Sequence, residues 1–253
     1  GFGACISGML LQRMDYSGKF FPDMQPLNVF VVALIAMLVC AAFGTVTGFF
    51  IAYLNVPPFI ATLAMMEIVY GIGLIVTNAT PLGGYVEQYT NVSNGKFLGI
   101  NYLIWIAIIV AAITWFIFNM TRHGKYMYAI GGNPQAAEVA GVPVKATLIL
   151  IYMKAAAMYG LAGFMLGAKA GGASVQTGYG YEMEAIAACT IGGVSVTGGR
   201  GKVSSAIIGV AVFELLKAAL QYLGVDANAQ YIAIGIVIFV AISLDIRKYV
   251  AKK

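Results

Sequence analysis

Charge is the scarcest property of this sequence. Asp, Glu, Lys and Arg make up 10% of the 253 residues and apolar types 60%, where soluble domains carry about 25% and about 45–50%. No Asp, Glu, Lys, Arg or His occurs from Met24 to Met66, from Phe97 to Thr121, or from Ala227 to Leu244. A series of such gaps excludes an ordinary soluble fold, because about 20 consecutive apolar residues let a helix cross the hydrocarbon core. Histidine is present only as His123, which excludes a His-rich metal cluster. Cys5, Cys40 and Cys189 are odd in number, widely spaced and in apolar company, so they read as small core side chains. Neither a disulfide framework nor a metal site is indicated. The net charge of +5 rests on basic residues too few and too dispersed for a phosphate-binding face, so nucleic acid is not an expected partner. The opening "GFGACISGMLLQRMD" has neither an initiator Met nor a basic leader region, so we do not expect it to be a signal peptide. We expect it to be the tail of a helix in an N-terminally truncated chain.

What is present are apolar runs separated by breakers. They predict helices at 1–12, 28–54, 59–77, 101–120, 147–169, 203–222 and 229–246, and a shorter piece at 181–191. Asn28 and Asn101 are candidate caps, since an Asn side chain accepts from the free amides of a first turn. Pro57 and Pro58 force a turn. Gly160, Gly163, Gly167, Gly171 and Gly172 along one span let membrane helices approach closely. Arg122, Lys125, Lys145, Arg200, Lys202, Arg247, Lys248, Lys252 and Lys253 fall on one side of the spans, against Arg13, Lys19, Lys96 and Lys169 on the other. The positive-inside rule makes the first side cytoplasmic, and the opening stretch with it. The expected fold is therefore an all-α polytopic membrane protein, one helix bundle over 1–253 in the lipid bilayer of an inner membrane, with a cytoplasmic segment at 121–146.

That segment contains "AIGGNPQAAEVAGVPVKATLIL" at 129–150. Asn133 can cap a helix, and Pro134 sits where its missing amide costs nothing. Gly141 can close the helix in a left-handed conformation and Pro143 stops it. Ala136, Val139 and Ala140 form a small apolar face, with Gln135 and Glu138 displaced from it. With no Trp, Phe or Leu to insert, the face suits lipid poorly and fits a docking knob for another protein better.

No catalytic, metal or cofactor constellation stands out. "GGVSVTGGRGKV" is not a phosphate loop, because the motif needs Gly where Val196 stands and a hydroxyl residue where Val203 stands. "YGYEME" lacks the strand–loop–helix context of a dinucleotide fingerprint. Glu67 in the middle of 59–77, and Glu214 three residues before Lys217, read either as paired structural charges or as pathway lining. Lys154 reads as a side chain that snorkels toward the cytoplasm. Tyr179, Tyr181, Glu182 and Glu184 can line a vestibule where "GGASVQTGYGYEMEA" returns into the membrane. Glu182 and Glu184 can equally serve the positive end of the 181–191 helix.

Two blocks carry a resemblance. "AIGGNPQAAEVAGV" and "GYGYEMEAIAACTIGGVSVTGGRGKV" are similar to the membrane subunits of bacterial sugar ABC importers, the ribose, xylose and galactose/methyl-galactoside permeases. The family's aromatic, acid, "DAIAA"-like run and paired glycines around a Ser fall here on Tyr181, Glu182, residues 184–188, Gly192 with Gly193, Ser195, and Gly198 with Gly199. "IAYLNVPPFIATLAMMEIVYGI" and "YIAIGIVIFVAISLDIRKYVAKK" resemble the galactose/methyl-galactoside members most. The family's earlier spans and its "DLSVG"-type block are absent, and Glu67, Lys154, Glu214 and Lys217 depart from it by placing charge inside spans. The resemblance implies one of two permease subunits, a homodimer, that moves a monosaccharide without being an enzyme. It implies a periplasmic binding protein that delivers the sugar and a cytoplasmic ATPase that holds ATP and Mg. Residues 133–141 would be the coupling helix seated on that ATPase. From the residues alone, a proton-coupled sugar carrier and a structural membrane scaffold stand as alternatives.

Overall fold

The computed structural model describes residues 1–250, without the side chains of Ala227 and of 244–250. Lys252 and Lys253, expected in the cytoplasm, lie outside the described residues, as do the side chains of Arg247 and Lys248. The helices run α1 Phe2–Leu10, α2 Val29–Leu54, α3 Pro58–Thr77, α4 Glu87–Asn94, α5 Tyr102–Met120, α6 Arg122–Gly132, α7 Pro134–Val139, α8 Val144–Ala170, α9 Tyr181–Ile191, α10 Val203–Tyr222 and α11 Ala227–Val250. One antiparallel pair, β1 Lys96–Phe97 and β2 Ile100–Asn101, precedes α5 with Lys96 opposite Asn101. Among the described residues α2, α3, α5, α8 and α10 are long and apolar enough to cross a membrane.

The predicted spans match these helices to within a few residues, and the stops are those foreseen. Asn28 accepts from the Phe30 amide at 2.9 Å, Asn55 ends α2 in the left-handed region, and Pro58 opens α3. Several elements differ. α4 was not predicted because "EQYTNVSN" is mostly polar, and its buried residues are only Tyr89 and Ser93. α6 lay in a stretch expected to be helical only from 133 onward. α8 begins three residues earlier than predicted, which sets Lys154 about 15 Å along it at ~1.5 Å per residue.

The described chain forms two compact units. One comprises Gly1–Val110 and Pro143–Tyr179. Its frame is α2 packed antiparallel on α8, with α1 laid against both. The contacts are backbone on backbone: a Cβ on Gly160 would stand 3.0 Å from the Met37 Cα, and one on Gly48 2.8 Å from the Ile149 Cα. On the α1 side, a Cβ on Gly163 would stand 2.9 Å from the Ala4 nitrogen. Such proximity substitutes for a hydrophobic driving force that lipid removes. The opening residues, expected to be the tail of a helix, form the nine-residue α1, and Gly3 lies beside Gly160, well into α8. The mutual lack of side chains lets α1 settle there.

α4 caps this frame. Tyr89 is fully buried, its hydroxyl donates to the Phe164 carbonyl at 2.7 Å, and its ring lies 4.9 Å from that of Phe164. Burial raises the Tyr89 phenol above its ordinary pKa. Leu82 and Ala173 exchange backbone hydrogen bonds of 2.7 and 2.9 Å, tying the segment after α3 to the one after α8.

The other unit comprises Ala111–Val142 and the chain from Gly180 onward. α9 packs on α10 and α11 through Ala187, Ala188, Phe213 and Ile234. A Cβ on Gly209 would stand 2.7 Å from the Gly192 nitrogen, so α10 approaches the end of α9 at backbone distance.

Candidate functional site

α6 and α7 are joined by a single residue. Asn133 ends α6 by donating its amide to the Ala129 carbonyl at 3.0 Å, and its side chain accepts from the Ala136 amide at 3.0 Å to begin α7. A cap of this kind contributes about 1 kcal/mol. Pro134 occupies the first turn, where no partner for an amide is needed. At the other end Val142 donates to the Ala137 carbonyl and Gly141 to the Glu138 carbonyl, both at 3.0 Å, with Gly141 at φ +81°. This double closure is the Schellman arrangement, and it requires the left-handed residue that the sequence places there. α7 is thus a short helix with both ends tied and no slack loop on its α6 side.

Its faces differ from expectation in one respect. Ala137, not counted in the predicted apolar face, is the buried residue that holds α7 down. Ala136, Val139 and Ala140 stay exposed, Val139 at 91%. Pro134, Gln135 and Glu138 are exposed as well. The segment therefore presents a small apolar knob on a fixed backbone.

α6 is fastened to the loop between α9 and α10. Thr121 accepts from the Gly124 amide at 3.2 Å to start α6, and Tyr128 donates its hydroxyl to the Gly201 carbonyl at 2.8 Å. A Cβ on Gly131 would stand 2.8 Å from the Gly199 Cα, so helix and loop meet without side chains between them. The loop is itself braced: the Ser195 amide donates to the Arg200 carbonyl at 3.1 Å, and the Gly198 amide to the Ser195 carbonyl at 3.2 Å. Sequence reasoning placed a tight bend here but missed Tyr128, whose partner is 73 residues away.

The polar residues of the spans sort into one cluster and several single positions. Lys217 of α10 donates to Glu184 of α9 at 2.8 Å and stands 3.9 Å from Glu214. The intrahelical Glu214–Lys217 pair suggested by spacing is thus the longer contact. The nearer partner comes from α9, because packing of Ala187 and Ala188 against Phe213 brings Glu184 to the Lys217 ammonium. The Tyr181 ring lies 6.0 Å from the same ammonium. Glu214 is 62% exposed by side chain. Glu182 and Glu184 both occupy the first turn of α9, at its positive end. Glu182 is exposed and stands outside the cluster. Tyr179 and Glu67 belong to the other unit, and both are exposed. Among the described residues no group of His, Cys, Asp and Glu is arranged to hold a metal ion.

Over 260 residues the chain is 40% identical to the galactose/methyl galactoside import permease protein of Escherichia coli (strain K12), covering 100% of this chain and 77% of that protein. It is 37% identical to the protein of the same name from Treponema pallidum (strain Nichols), covering 99% of this chain and 50% of that protein. It is 35% identical to the ribose import permease protein of Escherichia coli (strain K12), over 87% of this chain and 70% of that protein. No solved structure matched. The apolar helices and a family match over residues 1–242 agree, and the chain belongs to the transport-permease family described as branched-chain amino acid transport system / permease component, as a multi-pass protein of the inner membrane.

Proposed function

We propose that this chain is the permease subunit of an ATP-driven sugar importer, and that α7 is the element its ATPase grips. The observation that carries the reading is the geometry of α7. Its backbone ends are saturated by Asn133 and by the Gly141 closure, while the Val139 side chain is 91% exposed. A two-turn helix is marginal by itself, so a free apolar knob on a tied backbone suits a partner's groove. Asn133, Pro134, Gln135, Ala136, Glu138, Val139, Ala140 and Gly141 form that docking segment. A rigid piece transmits a displacement that a loose loop would absorb.

The relatives support a substrate class. Those matched over the whole chain are named for galactose and methyl galactoside, and that sugar class is the first expectation here, ahead of ribose. A periplasmic binding protein delivers the sugar, the cytoplasmic ATPase holds ATP and Mg, and a second copy of the chain completes the pathway. Tyr181, Glu184 and Glu214 offer an aromatic face and carboxylates suited to sugar hydroxyls. Weak contacts serve a permease, since release matters as much as entry.

The test is reconstitution of the full-length permease with its ATPase in proteoliposomes. Galactose-loaded binding protein should stimulate ATP-dependent uptake. Strong uptake with ribose-loaded partner alone would overturn the sugar assignment, and uptake driven by a proton gradient without the ATPase would select a secondary carrier instead.

A further inference from the structure

The contact between α6 and the 192–202 loop lies outside the proposed docking segment, and its construction is specific. Gly131 and Gly199 meet at backbone distance, where a Cβ on Gly199 would lie 2.6 Å from the Gly132 nitrogen. Gly199 also sits at φ +71°, a conformation that an L side chain resists. Beside this contact, Tyr128 donates to the Gly201 carbonyl at 2.8 Å. Gly201 stands two residues before Val203, the first residue of α10.

Both ends of the loop are fixed. Val194 donates to the Cys189 carbonyl at 3.0 Å and Gly193 to the Thr190 carbonyl at 2.9 Å, closing α9 as α7 is closed. A Cβ on Gly192 would lie 2.8 Å from the Ser205 carbonyl carbon, so the start of the loop is pressed on the first turn of α10. One residue, Asn133, joins α7 to α6, and Tyr128 with the glycine contact joins α6 to the base of α10. Further along, α10 carries Glu214 and Lys217, and Lys217 holds α9 through Glu184.

We propose that Tyr128, with Gly131 and Gly199, is the linkage that converts movement of the docking helix into movement of the α9–α10 pair. This rests on α7 being the docked element. Tyr128 is a positioning residue: its hydroxyl keeps α10 in register with α6. Without it the ATPase still binds and hydrolyses, but part of each stroke is lost between α6 and the loop.

The experiment uses the full-length permease assembled with its ATPase in proteoliposomes and reads three quantities: co-purification, ATP turnover and sugar moved per ATP. Tyr128→Phe should assemble and hydrolyse ATP as the parent does, while sugar per ATP falls about fivefold, the scale of one hydrogen bond. Gly131→Ala should have the same effect or a larger one, and if it fails to assemble, Tyr128→Phe alone decides. Tyr126→Phe on the same helix should leave the ratio unchanged. An unchanged ratio in Tyr128→Phe overturns the linkage. Normal ATPase association in a Val139→Asp permease overturns the docking reading instead, so the two failures are distinguishable.

Discussion

Two regions of this molecule bring backbone against backbone through glycine, and they do so differently. At α2 and α8 the glycines lie inside regular helices, and Gly160, Gly48 and their neighbours press on complete hydrogen-bonded turns. At α6 and the 192–202 loop, one partner is a helix and the other is a bend with Gly193, Gly198, Gly199 and Gly201 at positive φ. In lipid, a helix pair has no apolar surface to hide from water, so close approach is the means of holding it. A bend needs its glycines for backbone conformation first and for proximity second. The first contact should set stability, and the second should set the transmission of force.

That contrast can be broken most directly at Gly160. Gly160→Val would place branched carbons against the Met37 backbone, and we expect a loss of about 3 kcal/mol or more, read as lost membrane yield and early melting in detergent. Lys217→Met comes next. It leaves Glu184 without its partner at a site where the two side chains are only 23% and 20% exposed, for a cost of about 2–3 kcal/mol. Glu184→Gln added to it should recover most of the melting temperature. If the double variant melts no higher than the single, the ion pair is not what holds α9 to α10.

A smaller effect is expected at Gly167, where a Cβ would stand 2.6 Å from the Tyr89 hydroxyl oxygen. Gly167→Ala should cost about 1–2 kcal/mol. In a Tyr89→Phe background, which removes that oxygen and about 1 kcal/mol of hydrogen bonding, the further cost should shrink. Additive melting shifts would show that the two do not touch. The docking segment should lie at the bottom of this series in stability and near the top in transport. Gly141→Pro removes the amide that donates to Glu138 and forbids φ +81°, since proline fixes φ near about −65°. Because α7 is only six residues long, bundle melting should hardly move, while ATPase co-purification falls. Val139→Asp should leave melting within about 0.5 kcal/mol of the parent and weaken association about tenfold. Cys at position 138 should resist an impermeant reagent added outside spheroplasts. Labelling there would reverse the orientation.

The opening stretch shows where reading of the sequence stops. Its apolar character announced a helix, yet its depth beside Gly160 depends on two glycines more than 150 residues apart meeting face to face, and no local signal reports that. α4 is a second case: "EQYTNVSN" has a polar surface, and one buried side chain, Tyr89, docks it on α8. The charges of α10 are a third. A spacing of three residues pointed Lys217 at Glu214, whereas the packing of α9 placed Glu184 closer. Long-range partners set all three outcomes.

By itself, the sequence determined what depends on neighbours in the chain. Apolar runs of membrane length, the Asn28 and Asn133 caps, the Pro58 and Pro134 starts and the left-handed Gly141 are local consequences of hydropathy, side-chain hydrogen bonding and allowed φ. Only the tertiary structure decided which carboxylate Lys217 would meet, that Ala137 rather than Val139 would be buried, and that Tyr128 would reach Gly201. Those outcomes rest on which backbones can approach most closely, and close approach is a property of two helices at once.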